Sequence, residues 1–117
     1  MSQESNAVTN KERVYKKLFE GKEYKNILDV GATAYTIEFL KEHFPNSFIT
    51  GINIEIKDKP TPEIFFGNAE QMPFKDNSFD LVYSWGVLHH SPDTPRAINE
   101  VHRVLRPGGL ARIMIYH

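Results

Sequence analysis

The ten residues Asn26-Ile27-Leu28-Asp29-Val30-Gly31-Ala32-Thr33-Ala34-Tyr35 constrain this chain more than any other stretch. Ile27, Leu28 and Val30 surround a single acid, Asp29, and the apolar run breaks at Gly31. A short, nearly continuous run of branched aliphatics is the pattern of a parallel strand covered on both faces. A carboxylate near the carboxyl end of such a strand stands at the mouth of the sheet, where open α/β folds bind their ligands. Gly31 supplies a turn that tolerates positive φ and allows a ligand close to the backbone. The alternative is an ordinary strand-turn-helix junction in which Asp29 caps the turn.

Taken in order, the rest of the chain alternates in the same way. After a tail at 1–8, Thr9 and Glu12 make a capping-box pattern that opens a helix over 9–20, stopped by Gly21. Ile37, Leu40 and Phe44 recur at helical spacing over 36–44, and Pro45 ends that helix. A second strand is expected at 48–53 and a third at 64–67. Only residues 54–63 join them, with Pro60 and Pro62 inside, so the usual crossover helix is expected to shrink to a turn. Asp76-Asn77-Ser78 closes a loop over 71–78, and a fourth strand follows at 79–84. Thr94 reads as the cap of a helix with Pro95 in first position and Ala97, Ile98, Val101, Val104 and Leu105 as its buried stripe. Arg106-Pro107-Gly108-Gly109 then turns into a fifth strand at 110–116. The expectation is one domain over 1–117 with its core at 26–117: an α/β, Rossmann-like, doubly wound parallel sheet of strand order 3-2-1-4-5 with right-handed crossovers.

Composition excludes several classes of function. A net charge of −1 leaves no basic footprint for nucleic acid or anionic membrane. The absence of cysteine removes disulfides and thiolate metal sites. No apolar run reaches membrane-spanning length and the first ten residues lack a signal peptide's apolar centre, so a cytoplasmic location is expected. His89 and His90 are adjacent and point in different directions, so no metal is expected.

Three further segments make the pattern specific: residues 49–55, ending in Asn53-Ile54-Glu55; residues 67–82, opening Gly67-Asn68-Ala69-Glu70; and residues 101–110, which contain Arg106-Pro107-Gly108-Gly109-Leu110. In this order and spacing, over about 25–117, the chain resembles the class I S-adenosylmethionine-dependent methyltransferases, particularly their small-molecule branch. That family's fold adds two strands after the fifth. The resemblance therefore implies a chain truncated there, with an exposed fifth strand expected to pair into a homo-oligomer.

The resemblance also assigns cofactor-binding roles. Asp29 would face the ammonium end of S-adenosylmethionine, and Gly31 with Ala32 would form the start of its loop. Thr33 and Tyr35 stand where the family writes further glycines, and their side chains are expected to crowd the loop. Asn53 takes the place of the family's ribose-binding acid, with Ile54 beside it and Glu55 as a substitute. Asn68 and Ala69 would flank the adenine, and Glu70 would fix the loop. Met72 and Phe74 are expected to pack beneath it as core. Ser84 and Trp85 would line the cofactor mouth, Trp85 through cation–π attraction to the sulfonium. His89 would be the general base, or else a structural histidine. The helix at 9–20 would cover the mouth as a partial lid or simply cover one sheet edge.

Methyl transfer from an activated sulfonium needs positioning and exclusion of water more than covalent help from the protein. The implied activity is methylation of a small molecule. The rival is a non-catalytic module that kept the fold, lost tight cofactor binding and acts through oligomerisation or protein contacts. A dinucleotide-binding domain is excluded because no G-x-G-x-x-G follows the first strand.

Overall fold

The computed structural model describes residues 23–55, 61–85 and 91–114. The expected tail at 1–8, the helix at 9–20 and the centre of the 54–63 connection lie outside them. The described chain runs β1 (Asn26–Val30), α1 (Ala34–His43), β2 (Phe48–Asn53), β3 (Ile64–Phe66), β4 (Phe79–Trp85), α2 (Thr94–Val104) and β5 (Leu105–Met114). All the pairings are parallel and the order is β3-β2-β1-β4-β5, as the strand pattern implied. Gly31 follows β1, where the chain leaves for β2 on one side and β4 lies on the other. Among the described residues no helix is long and apolar enough to cross a membrane.

The sheet carries a layer on each face. Leu28, Val30 and Val82 pack with Ala97, Val101 and Val104 of α2, while Ile27, Leu81 and Tyr83 pack with Leu40 of α1. Burial of this kind returns about 25 cal/mol per Å2 of apolar surface, and β1 and β4, covered on both faces, are the most buried strands. Met72 joins the α2-side cluster with Phe74 against it, so both take the core role expected of them.

Local chemistry decides where the helices begin. Thr33 caps α1: the Thr36 N–H donates to Thr33 Oγ1 at 3.2 Å and the Thr33 N–H donates to Thr36 Oγ1 at 2.9 Å. This reciprocal pair is a capping box with threonine in the place of the usual Glu or Gln, and it starts the helix earlier than 36. For α2 the cap is Asp93, whose Oδ1 accepts the Arg96 N–H at 3.1 Å, so Thr94 is the first helical residue rather than the cap. Ile98 is 37% exposed. Ala97, Val101 and Val104 define the buried stripe and Ile98 falls beside it. Leu105 has already left the helix and pairs with Phe79 at the start of β5. The next pair is Leu81 with Leu110, so Arg106, Pro107, Gly108 and Gly109 form an excursion from the β5 ladder, with Gly108 at φ +83°.

Gly51 is required by closeness rather than by its dihedral angles. A Cβ there would lie 2.5 Å from Ala32 Cβ and 3.1 Å from Ile37 Cδ1. Gly51→Ala is therefore expected to cost about 1–3 kcal/mol, read as a lower melting temperature. Adding Ala32→Gly should return part of the loss; equal melting of the single and double variants would refute the clash as the cause.

Candidate functional site

A cleft of about 120 Å3 opens at the carboxyl ends of β1, β2 and β3. Of the residues expected to bind a cofactor, Gly31, Asn53, Ile54, Asn68 and Ala69 line it, on a frame of Val30 and Ile52. Gly67, Ser91 and Pro92 complete the wall. Nothing in the spacing of these three marks them, because Ser91 and Pro92 reach the cleft from beyond β4 and Gly67 serves by being small. A Cβ on Gly67 would come within 2.9 Å of Ile52 Cβ.

The loop after β1 is held in shape by its neighbour strand. Gly31, at φ +78°, and Ala32 both donate their N–H to the Ile52 carbonyl, at 2.8 and 3.0 Å. Ala32 is buried against Ile37 and Ile64 and does not line the cleft. Tyr35 is 65% exposed and, like Thr33, is absent from the lining, so neither side chain fills the cleft.

Asn53 ties this loop to the one after β2. Its Nδ2 donates to the Ala32 carbonyl at 2.8 Å, and its Oδ1 accepts the Glu55 N–H at 2.9 Å. An aspartate could make only the second bond while ionised and would place negative charge beside the Ala32 carbonyl. Asn53→Asp is expected to cost about 1–3 kcal/mol at pH 8. The deficit should narrow below about pH 4, where a protonated carboxyl regains a donor. Thermal melts at the two pH values test this; a pH-independent difference would contradict it.

Asp29 is 1% exposed and lies on the α1 face of the sheet, paired in register with Gly51 and Tyr83. Thr36 Oγ1 donates to its Oδ2 at 2.5 Å. Its Oδ1 is buried and meets no hydrogen-bond donor among the described residues. Burial pushes this carboxyl up from its ordinary 3.8 to about 7, against the opposing pull of the Thr36 bond. Asp29 is one residue short of the lining residue Val30 and is not itself part of the cleft wall. The turn-capping alternative is realised at Oδ2, through Thr36, and leaves Oδ1 for another donor.

The turn after β3 is fastened from two directions. Asn68 Oδ1 accepts the Glu70 N–H at 2.9 Å and the Asn68 carbonyl accepts the Gln71 N–H at 3.0 Å. Glu70 Oε2 then accepts both Ser91 Oγ, at 2.5 Å, and the Asp93 N–H, at 3.0 Å. Glu70 therefore has the loop-fixing bonds expected of it. From α2, Glu100 Oε1 accepts the Met72 N–H at 2.8 Å. Arg103 donates to the Met72 carbonyl at 3.0 Å, the Phe74 carbonyl at 2.7 Å and Asp76 Oδ1 at 2.9 Å. Arg103 Nε also donates to Glu100 Oε2 at 2.6 Å, and this bond is the main reason the Glu100 carboxyl is held below its usual range. The Glu100–Arg103 clamp has no signal in the sequence beyond an acid and a base three residues apart on a helix.

The residues closing β4 are placed differently. Ser84 is buried and its hydroxyl donates to the Val30 carbonyl at 3.1 Å, bracing β1 rather than lining the cleft. Trp85 packs with the cluster under α1 and is not part of the cleft wall. His89 lies outside the described residues.

The chain is matched over residues 18–113 by the model of a family described as "Methyltransferase domain". It is 33% identical over 107 residues to the demethylmenaquinone methyltransferase of Listeria welshimeri, covering 80% of this chain and 45% of that protein. It is 33% identical over 87 residues to malonyl-[acyl-carrier protein] O-methyltransferase 1 of Coxiella burnetii, covering 72% of this chain and 31% of that one. Among solved structures, an S-adenosylmethionine-dependent methyltransferase from Mesorhizobium loti superposes with a TM-score of 0.66 at 26% identity, over 81% of this chain and 48% of that chain. One from Aquifex aeolicus reaches 0.71 at 19% identity, over 90% of this chain and 63% of that chain, a likeness of fold. The chain thus belongs to the class I S-adenosylmethionine-dependent methyltransferase domain family, and it spans less than half the length of these two curated relatives.

Proposed function

We propose that this domain binds S-adenosylmethionine and serves methyl transfer to a small organic acceptor. The observation that carries the reading is the buried Asp29 carboxyl one residue before Val30 and Gly31, which line a cleft whose far wall is the Asn68 turn. The parts of the cofactor find suitable chemistry in these residues. Asp29 Oδ1 meets no donor among the described residues, and an ammonium group is a donor of the kind it would accept from. The remaining lone pair of Asn53 Oδ1 accepts from a ribose hydroxyl. The apolar edges of Val30, Ile52, Ile54 and Ala69 suit a flat base, and Asn68 offers an amide to its polar rim.

The cofactor, when bound, supplies a methyl group already activated on a sulfonium. The protein's share is to bind and orient. Asp29 fixes the amino acid end, the Gly31 backbone permits close approach, and the walls exclude water from the nucleoside. Ser84 acts from behind, bracing the end of β1 through Val30. His89 is the candidate base where the acceptor must lose a proton. One relative is named for demethylmenaquinone and another for malonyl-[acyl-carrier protein], so for this chain the acceptor is proposed only as a class.

A second reading, a module without catalysis, draws support from Asn53, whose amide is already committed at both ends to joining two loops. Calorimetric titration with S-adenosylmethionine and S-adenosylhomocysteine separates the two. Micromolar binding supports the first reading. A folded protein that shows no heat up to millimolar ligand would overturn it in favour of the second.

A further inference from the structure

We infer that Glu70 is a positioning residue that sets the nucleoside end of the cleft by drawing residues 91–93 against the turn at 68–71. The inference rests on the cofactor reading above. A single oxygen, Oε2, receives both Ser91 Oγ at 2.5 Å and the Asp93 N–H at 3.0 Å, from a segment twenty-one or more positions away in the chain. Ser91 and Pro92 form one wall of the cleft, Asn68 and Ala69 another. Glu70 stands between them, with its own N–H anchored on Asn68 Oδ1 at 2.9 Å.

The charge state suits a permanent tie. The Ser91 bond, then the Asp93 bond, with Arg96 nearby, hold the carboxyl below its usual range. Among the described residues, Asp93 and Arg96 are the charged groups these bonds and fields bring to Glu70. Asp93 is itself the cap of α2, so the same tie that shapes the cleft fixes where that helix starts. Glu70 touches no part of a ligand by this account. It holds the two walls together, and its loss would open them.

The test titrates adenosine and S-adenosylhomocysteine into the full chain and into its Glu70→Ala, Glu70→Gln and Asp29→Asn variants, with melting temperature followed in parallel. Glu70→Ala is expected to weaken both ligands by about 10-fold, the size of a lost pair of hydrogen bonds. Glu70→Gln keeps an acceptor oxygen and should recover most of that affinity. Asp29→Asn should weaken S-adenosylhomocysteine while leaving adenosine unchanged, since only one of these ligands has an ammonium group. A merely structural role for Glu70 would lower the melting temperature and leave adenosine affinity intact in the folded variants; that result overturns the inference. If the parent chain binds neither ligand, the cofactor reading falls and takes this inference with it. Binding by the parent with no loss in Glu70→Ala removes the inference alone.

Discussion

Asp29→Asn is expected to melt at a higher temperature than the parent chain at pH 8 and, in the same preparation, to bind S-adenosylmethionine about 10- to 100-fold more weakly. Both halves follow from one burial. The Asp29 carboxyl is buried on the α1 face of the sheet, and that burial pushes it up to about 7 from its ordinary 3.8. A folded-state value raised above the unfolded one means that the folded protein prefers the protonated form. Stability is then greatest below about pH 4 and falls as pH rises toward 7, by up to roughly 4 kcal/mol for a shift of that size. Asparagine has no proton to lose and escapes that cost. The gap between variant and parent should therefore open between about pH 4 and 7 and stay constant above. An amide, however, cannot supply the charge that an ammonium group needs. Ligand binding should also release a proton below pH 7, seen as a buffer-dependent heat. Equal melting at pH 8, or unchanged affinity, would contradict this account of Asp29.

Arg103→Ala is expected to be the most damaging change on the α2 side, at about 2–4 kcal/mol. The guanidinium spans the Met72 and Phe74 carbonyls, Asp76 and Glu100. Its removal takes the Arg103 donors from two part-buried carbonyls and leaves the Glu100 charge with the Met72 N–H and the field of Arg96. Lysine would not restore the arrangement, because an ammonium point charge cannot reproduce the planar fork. The clamp should also weaken in acid. Because the folded Glu100 value is lowered, its contribution is complete above the ordinary carboxylate range and is lost as pH falls through the folded value. Denaturant titration of Arg103→Ala and Arg103→Lys at neutral pH is the check. A Lys variant as stable as the parent would show that charge alone suffices.

These two predictions differ in how visible their residues are from the chain itself. Asp29 stands out because one acid inside an aliphatic run at a glycine is anomalous, and anomalies in a strand are local. The strands were legible for the same reason: β2 falls at its expected bounds, while β3 ends one residue earlier and β4 one residue later than expected. The strand order followed from parallel crossovers and a family pattern. Arg103, Glu100 and Glu70 bond to residues 21 to 31 positions away, and no periodicity encodes such partners. A helix start is ambiguous in sequence where two capping residues are adjacent, as at Asp93 and Thr94, and the fold uses the first. Leu105 continues the apolar rhythm of α2, yet the backbone there has already turned extended to meet Phe79. The sequence position of Asn53 points to outward chemistry, whereas its amide also faces the Ala32 carbonyl, which only the folded loops bring near.

The Thr36 hydroxyl has one proton, with Asp29 Oδ2 at 2.5 Å and the Thr33 carbonyl at 3.1 Å as rival acceptors. While Asp29 is ionised, the carboxylate takes it. Once Asp29 carries its own proton, that proton can point at Thr36 and release the hydroxyl toward the helix cap. The first turn of α1 is thus wired to the ionisation of the buried acid. The Thr33 and Thr36 amides, read by magnetic resonance, form a built-in pH indicator for this buried group.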